Sequence, residues 1–313
     1  MRICTYNCMN LFAWEAEPQE PVNAAKPQRE VLALAKTLSW ANPDLVSMQE
    51  VGSLSALKDL NSLLKTPFAH LLLAQTNSDR GIHLGFMSRY PLKLHSYRES
   101  PLLDEEGNPI TDILHRDGTQ LEPMRLQRDI AVVEIDQTEP APEPPNSTTD
   151  AVQLKIPPMF VANVHLKSAG KRPWNTLSPL VVRSAEVRVL AGVITGLQKR
   201  NPGCELMVMG DFNDNPTSPA FAALAQLDHG VLYDPLMREL VPANPRISTY
   251  WPKRRTRIDR ILLNSQAKKR YLPGSIRLWG NKRAEIASDH FPLSIDMVPP
   301  TPEKKPETDN STP

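Results

Sequence analysis

The chain has few cysteines, no long apolar run and almost no net charge. Its three cysteines, Cys4, Cys8 and Cys204, are an odd number, so we expect no disulfide framework and a reducing, cytoplasmic location. The most apolar long segment, residues 180–197, contains three charged residues and so lacks the ~18 uninterrupted apolar residues of a membrane-spanning helix. The N-terminus shows no basic segment followed by an apolar run, so we expect no secretory signal.

The near absence of net charge limits which partners the whole molecule can attract. The 36 basic and 35 acidic residues leave a net charge of +1, so any attraction to a polyanion must be local. Hydrophobic residues make up 40% of the 313 residues, which supplies ample material for a core. This length fits one large or two ordinary domains.

Segments that predict strands far outnumber those that predict helices. Helical spacing of apolar residues predicts helices over residues 29–40, 54–64 and 179–200. Short apolar runs between turn residues predict strands over residues 1–7, 45–48, 68–74, 82–87, 130–135, 160–166, 205–209, 257–263, 271–278 and 291–297. Two packed sheets with helices on the outside account for this order better than one doubly wound sheet.

Two proline-rich segments stand outside this pattern. Residues 137–158 contain six prolines, which predicts a loop or insertion that joins two neighbouring strands of one sheet. Residues 299–313 are proline-rich, charged and almost without apolar side chains, so we expect a disordered tail. We therefore expect a single domain over residues 1–298.

Six of the predicted strands begin or end in polar residues of the kind found in catalytic sites. Because these segments are far apart in sequence, they can act together only if they meet at one edge of a sheet fold. Histidines, carboxylates and asparagines are also the groups needed for metal-assisted attack of water on a phosphate. The segments are Thr5-Tyr6-Asn7, Ser47-Met48-Gln49-Glu50, Asn163-Val164-His165, Gly210-Asp211-Phe212-Asn213-Asp214, Arg257-Ile258-Asp259-Arg260 and Ser288-Asp289-His290.

The segment that begins at Gly210 is the most specific of the six. Glycine permits a close turn beneath a ligand, and Asp211 and Asn213 are two apart on an extended segment, so they point to the same side. An ordinary Asp- and Asn-rich turn would explain the composition but not the apolar strand before it. His290 suits general base catalysis because the ordinary histidine pKa of ~6.5 lies near neutral pH.

The segment that ends in Glu50 predicts a metal ligand less specifically. Mg²⁺ keeps most of its waters and binds through one or two carboxylates, so one well-placed glutamate suffices. A surface carboxylate at a strand end fits the local sequence about equally well. Asn7 by itself is usually a turn residue.

Taken together and in this order, the six segments resemble the motifs of the endonuclease/exonuclease/phosphatase superfamily, which has the DNase I-like fold. The resemblance runs from residue 1 to about residue 297. It implies an α+β sandwich of four layers, with two packed, mixed and mainly antiparallel β-sheets flanked by helices. It also implies metal-dependent hydrolysis of phosphoesters, most simply by a phosphodiesterase or nuclease.

The resemblance implies a role for each catalytic residue. His290 would deprotonate the attacking water, Asp259 would orient His290, and Asp211 would position the water. His165 and Asn213 would stabilise the charge that develops on the phosphate.

The resemblance also implies the metal and its ligands. Asn7, Glu50 and Asp289 would hold Mg²⁺ or Mn²⁺ against the phosphate.

Basic residues near these segments are candidates for binding substrate phosphate. Lys253, Arg254, Arg255 and Arg257 lie immediately before the predicted orienting aspartate, and Arg128 lies in another loop. A solvated basic loop is the usual interpretation of such a run, but its position favours phosphate steering.

The resemblance leaves the substrate open. His165 indicates the histidine-bearing branch of the superfamily rather than the abasic-site endonucleases. Nucleic acid is the first choice of substrate, because Gly-Asp-Phe-Asn-Asp and the early Tyr-Asn-Cys-Met-Asn-Leu-Phe resemble bacterial nuclease-like members. A small phosphodiester, a lipid head group or a sugar phosphate is the alternative, and an inactive scaffold is disfavoured because no expected site residue is missing. We expect a monomer.

Overall fold

Two β-sheets lie face to face in the computed structural model, which describes residues 1–13, 24–137, 157–227, 230 and 232–300. In spatial order, the first sheet contains β12 (Arg277–Leu278), β13 (Leu293–Asp296), β1 (Arg2–Leu11), β2 (Leu45–Val51), β4 (His83–Ser88) and β3 (His70–Ala74). The second contains β11 (Asp259–Leu263), β10 (Glu205–Asp211), β9 (Met159–His165), β8 (Ile130–Ile135) and β5 (Leu92–Ser96). A small hairpin pairs β6 (Thr111–Asp112) with β7 (Glu122–Pro123).

Each sheet is built around one parallel pair of strands. In the first sheet β1 runs parallel to β2, and in the second sheet β9 runs parallel to β10. The other pairings within these two sheets are antiparallel. The carboxyl ends of both parallel pairs lie at the same edge of the sandwich, since Asn7 of β1 donates to Asp211 at the end of β10, which lies 3.6 Å from His165 at the end of β9.

Helices surround the two sheets, and the longest of them cover the outer faces. The helices are α1 (Gln28–Ala41), α2 (Leu54–Ser62), α3 (Pro179–Arg200), α4 (Ala222–Ala225), α5 (Val241–Ala243), α6 (Ser265–Arg270) and α7 (Lys282–Ala287), with a 3-10 turn at Pro219–Phe221 and a π-helical turn at Leu236–Leu240. Helices α1 and α2 share a core with the first sheet, and α3 shares one with the second. The architecture is therefore the predicted four-layer sandwich.

The long helix α3 shows how local sequence sets an element and its packing. Ser178 caps its start by accepting a hydrogen bond from the Val181 amide, and Pro179 occupies the first turn, where no amide donor is needed. Val182, Leu190 and Leu197 are buried against the second sheet. Each such buried side chain contributes about 1.5–3 kcal/mol.

The core between the sheets follows the alternation of side chains along each strand. Ile3 and Ile295 from the first sheet and Val161, Met209 and Ile261 from the second are completely buried in one cluster. Because successive residues on a strand point to opposite faces, every second residue enters this cluster. The same alternation carries the polar strand ends into the space between the sheets.

Most predicted elements lie where the sequence indicated, but β5, β6, β7 and the short helices α4 to α7 were not predicted, and one predicted strand is largely a turn. The strand predicted over residues 271–278 is a turn followed by the two residues of β12, because Gly274 adopts a φ of +77° and interrupts the extended chain. Helix α7 was not predicted, since it is six residues long and depends on a cap by Asn281.

The proline-rich segments fall largely outside the described residues. The ends of the predicted insertion join β8 and β9, which are antiparallel neighbours in one sheet as predicted, with Ile135 opposite Met159. The predicted tail at 299–313 lies outside the described residues beyond position 300. No helix in the described part of the chain is long and apolar enough to cross a membrane.

Candidate active site

The predicted site residues meet at the edge where the parallel strand pairs of both sheets end. Asn7 and Glu50 come from β1 and β2, while His165 and Asp211 are the last residues of β9 and β10. Asp259 is the first residue of β11, which is antiparallel to β10, and so it reaches the same edge. Six distant segments thus form one cluster, as the sequence indicated.

Beneath this cluster the two sheets are joined by a buried polar network. The Gln49 Nε2 donates to Asn163 Oδ1 at 2.7 Å and to Thr5 Oγ1 at 3.1 Å. The Asn163 Nδ2 donates to the backbone carbonyls of Met48 at 3.0 Å and Gly85 at 3.2 Å. No role was assigned to Gln49 and Asn163 from the sequence. Their polar side chains at inward positions of apolar strands are the signal that could have identified them.

His290 is held by two groups on opposite sides of its own segment. Its Nδ1 lies 2.8 Å and 3.0 Å from the two carboxylate oxygens of Asp259. Ser288 Oγ accepts from the His290 amide at 3.1 Å and donates to the Asn7 carbonyl at 2.7 Å. The ring of Tyr250 packs edge-on against the imidazole, with centroids 5.1 Å apart. The imidazole orientation is therefore fixed, with Nε2 directed at the site.

Asp211 lies between the two histidines. Its Oδ2 is 3.6 Å from His165 Nε2 and 3.8 Å from His290 Nε2, and it accepts from Asn7 Nδ2 at 3.0 Å. Its Oδ1 accepts from the Asn213 amide at 2.8 Å. Asp211 thus contacts four of the predicted site residues.

Gly210 places Asp211 at this position. The φ of Gly210 is +140°, a region that only glycine adopts without strain. A Cβ atom here would lie 1.9 Å from the Val164 carbonyl oxygen of the neighbouring strand. The glycine is therefore required by both its dihedral angle and the close approach of β9.

The proton affinities of this cluster are strongly perturbed. Burial favours the neutral imidazole, but the carboxylates of Asp259 and Asp211 outweigh it and raise the pKa of His290 to about 10. Burial raises the pKa of Asp211 to about 7, although the neighbouring His290 opposes the shift. Burial and the positive charges of Arg128 and His290 hold the pKa of His165 well below its ordinary value. At neutral pH His290 is therefore charged and His165 neutral.

Glu50 occupies an unusual backbone conformation for a strand residue. Its φ is +60°, and the pairing of β2 with β4 shifts register between Met48 and Val51. Its carboxylate accepts from the Asn10 amide at 3.1 Å and lies 3.6 Å from Arg80 Nη2. Arg80 is a neighbour of the site that was not predicted from the sequence.

The oxygen donors present fit a hard divalent cation. Glu50 Oε1 lies 3.8 Å from His165 Nε2, and Asp289 Oδ1 lies 3.8 Å from His290 Nε2, so both carboxylates face the cluster. Burial raises the pKa of Asp289, and the Glu50 carboxylate adds to this effect. Asn7 contributes an amide oxygen, which also accepts from the Met9 amide. Carboxylate and amide oxygens are suitable ligands for Mg²⁺ or Mn²⁺.

A second group of possible ligand atoms overlaps this set. Atoms of Asp211, Asp259 and His290 lie within 4.8 Å of one another. The sequence prediction gave these residues roles in proton transfer rather than in metal binding. The structure therefore offers two neighbouring arrangements of metal-ligand type.

Arg128 is a buried cation beside the histidines. It is 9% exposed, and its Nη1 donates to the Leu166 carbonyl at 3.3 Å. Its Nε has no hydrogen-bond partner in the described part of the chain. Burial lowers its pKa, while the carboxylates of Glu186, Glu50 and Asp211 are close enough to oppose this effect. A buried arginine with unused donors is suited to binding an anion.

The basic run lies next to the cluster rather than in it. Lys253, Arg254 and Arg255 are exposed on the loop before β11. Arg257 instead donates to the Pro245 carbonyl at 2.6 Å, which stabilises the loop. Among the described residues, none of these four side chains forms a hydrogen bond or ion pair with the cluster.

The chain belongs to the Endonuclease/Exonuclease/phosphatase family, whose model matches residues 4–290. The family's description covers enzymes that hydrolyse phosphoesters. No curated protein matches the chain by sequence.

Solved structures with the same fold have low sequence identity to this chain. Truncated TDP2 from Caenorhabditis elegans superposes with a TM-score of 0.56 at 14% identity, covering 95% of this chain and 97% of that one. An endonuclease/exonuclease/phosphatase from Beutenbergia cavernae gives 0.55 at 19% identity, covering 95% and 71%. The human Nocturnin catalytic domain, solved with a bound sulfate anion, gives 0.52 at 15%, covering 94% and 93%. These likenesses show the DNase I-like fold.

Proposed function

We propose that the protein is a metal-dependent phosphodiesterase that hydrolyses its substrate by in-line attack of water on phosphorus. The observation that carries this proposal is the arrangement around Asp211, with His290 held by Asp259 on one side and His165 on the other. Two histidines and two carboxylates at one edge supply a proton acceptor, its orienting partner and a hydrogen-bond donor for phosphate.

The proton of the attacking water passes to the pair formed by Asp211 and His290. Base catalysis needs the neutral imidazole, so one proton must leave this pair before water attacks. Asp211 Oδ2 and His290 Nε2, 3.8 Å apart, are then placed to orient the water and accept its proton. As the new oxygen–phosphorus bond forms, the bond to the leaving oxygen breaks and that oxygen takes a proton from solvent, while Asp259 stabilises the imidazolium that results.

Two neutral donors face the position of the phosphate. Because the pKa of His165 is lowered, its imidazole is neutral and offers one ring N–H. The Asn213 Nδ2 uses one hydrogen on the Leu166 carbonyl at 2.9 Å and keeps a second one. Both can stabilise charge on the phosphate oxygens in the transition state.

Glu50, Asp289 and Asn7 would hold Mg²⁺ or Mn²⁺. When bound, such a cation neutralises charge on the phosphate oxygens. Glu50 suits this task because the Asn10 amide and Arg80 fix one carboxylate oxygen and leave the other facing His165.

We propose nucleic acid as the substrate, with a small phosphodiester or a lipid head group as the alternative. Arg128 supports an anionic substrate, because its Nε has no hydrogen-bond partner and no carboxylate lies within ion-pair distance of it among the described residues.

The test is the hydrolysis of a chromogenic phosphodiester, plasmid DNA, single-stranded DNA, RNA, sphingomyelin and inositol phosphates with Mg²⁺ or Mn²⁺. Asp211→Ala and His290→Ala should each lower kcat by about 100- to 10,000-fold while the protein stays folded. Asp59→Ala and His115→Ala, which remove exposed groups of the same types, are the matched controls. Full activity in either active-site variant, or in excess chelator, contradicts the proposal.

A further inference from the structure

A groove of about 490 Å³ lies beside the candidate active site, on the loop that carries the basic run. This volume lies within the range of roughly 300–1,000 Å³ of ligand clefts. Trp251 is 41% exposed, so much of its indole is open to solvent. The lining residues that matter for recognition are Arg246, Trp251, Arg254, Leu278, Glu285 and Phe291.

The groove is continuous with the catalytic segment. The Trp251 amide donates to the Asp289 carbonyl at 3.1 Å, and its Nε1 donates to the Ser288 carbonyl at 2.8 Å. Phe291, on another wall, directly follows His290. Trp251 and Phe291 therefore place one wall of the groove directly against the segment that carries Asp289 and His290.

The basic side chains of the groove and its loop have no ion-pair partner among the described residues. The side chains of Arg246, Lys253, Arg254 and Arg255 form no ion pair or hydrogen bond with the described residues, whereas Glu285 is the acidic residue of the lining. The whole chain has a net charge of only +1, so this concentration is local. Cations on an otherwise neutral molecule attract a polyanion to that place.

We propose that this groove binds single-stranded nucleic acid that runs on from the active site. This inference rests on the proposed function, because the strand enters the site through its scissile phosphate. Arg246 and Arg254 contact phosphates, and a base stacks on the indole of Trp251. Stacking on an exposed ring requires an unpaired base, which favours a single strand over a duplex.

The charge contribution is tested with a fluorescently labelled single-stranded DNA of twelve nucleotides, in excess chelator so that no cleavage occurs. Fluorescence anisotropy of the double variant Arg246→Glu with Arg254→Glu should show at least tenfold weaker binding and a weaker dependence on salt. Lys58→Glu with Lys65→Glu is the matched control, since both lysines are exposed in or just after α2, which packs on β2, β3 and β4 at the other end of the first sheet. Equal binding by the two double variants overturns the proposal.

The stacking contribution is tested by comparing Trp251→Phe with Trp251→Leu. Both lose the indole hydrogen bond to Ser288, so they differ only in whether a ring remains. The leucine variant should bind the single strand at least about fivefold more weakly than the phenylalanine variant. The assignment to a single strand is overturned if the two variants bind single-stranded DNA with equal affinity. It is also overturned if the leucine variant loses the same fraction of its affinity for duplex DNA and heparin.

The two proposals fail in different ways. Hydrolysis of the chromogenic diester by the unmodified protein tests the proposed function alone, because that substrate is too short to contact the groove. If hydrolysis occurs but the groove variants bind normally, only the groove assignment is wrong. If the groove variants lose binding but no phosphoester is hydrolysed, only the proposed reaction is wrong.

Discussion

Four non-glycine residues beside the candidate site have positive φ angles: Met9 at 49°, Asn10 at 56°, Glu50 at 60° and Asn213 at 53°. Such conformations cost of order 1–3 kcal/mol each and persist only where the surrounding structure enforces them. Here the Glu50 carboxylate accepts from the Asn10 amide, so two of the strained residues hold each other. These backbone conformations point the side chains of the four residues in directions that differ from those in a regular strand.

At the scale of single residues, the pair of His290 and Asp259 gives a sharp prediction. Asp259→Asn keeps the shape of the side chain but removes the charge that stabilises the imidazolium. We expect kcat to fall by about 100- to 10,000-fold, with a much smaller change in KM. Steady-state kinetics on a chromogenic diester measure both constants.

The matched control is another buried carboxylate outside the site. Asp234 pairs with Arg260 at 2.9 Å, so Asp234→Asn should lower the melting temperature but keep kcat. If both variants retain kcat, Asp259 has no role in orienting His290.

Gly210 gives a prediction about stability. Gly210→Ala would place a methyl group 1.9 Å from the Val164 carbonyl oxygen, so we expect a loss of more than about 4 kcal/mol in the free energy of unfolding. Gly203→Ala is the control, because its φ is +80° but no atom lies within 4 Å of the added methyl group. It should cost only about 1–2 kcal/mol. Urea denaturation of both variants measures the two losses in the free energy of unfolding. Equal losses would contradict this prediction.

At the scale of elements, the polar network between the sheets lies directly beneath the strand ends. Removing one partner leaves the other buried without its hydrogen bond, which costs about 1–3 kcal/mol. We expect Gln49→Leu and Asn163→Leu each to destabilise the protein, and the double variant to lose less than the sum. Urea denaturation of the four proteins gives the coupling energy. Additive losses would show that the 2.7 Å bond between the two side chains contributes little.

Elements with strong local signals were predictable from the sequence. Helix α3 has a serine cap, a proline in its first turn and regular apolar spacing, and its predicted and observed bounds coincide at Pro179–Arg200. The strands of the parallel pairs are buried along most of their length and were also found. By contrast, β12 has two residues and is formed only by pairing with β13, a contact that no local pattern encodes.

The sequence predicted which segments meet and, through the resemblance, that Asp259 lies beside His290, but not the other contacts of the site. Strand-end motifs carry the identity of each group, and the resemblance to a family carries the roles, which stay predictions. The raised pKa of His290 could not be foreseen, because it depends on carboxylates that are 31 and 79 positions away along the chain. Arg80 and Asn10 were missed because their contact with Glu50 depends on the local distortion of the strands.

At the scale of the molecule, we propose one domain over residues 1–298. The two sheets share a continuous core, and β1 near the start of the chain pairs with β13 near residue 298. Residues 138–156 lie outside the described residues, and the strands on either side of them are antiparallel neighbours.

Replacing residues 138–156 with a four-residue Gly-Asn turn should therefore preserve folding. We expect the free energy of unfolding to change by less than about 2 kcal/mol, because loop-closure entropy depends weakly on length. Urea denaturation measures this, with the unmodified chain as reference. Failure to fold would show that the segment belongs to the core structure of the domain.

The described ends of the domain lie together, far from the site. The Met1 amino group donates to the Met297 carbonyl at 2.8 Å, and Arg2 lies opposite Asp296, at the far end of β1 from Asn7. A fused domain attached at either end would therefore begin on the side of the molecule opposite the catalytic edge. Tethered to a solid support through those ends, the protein would present its catalytic edge to the solution.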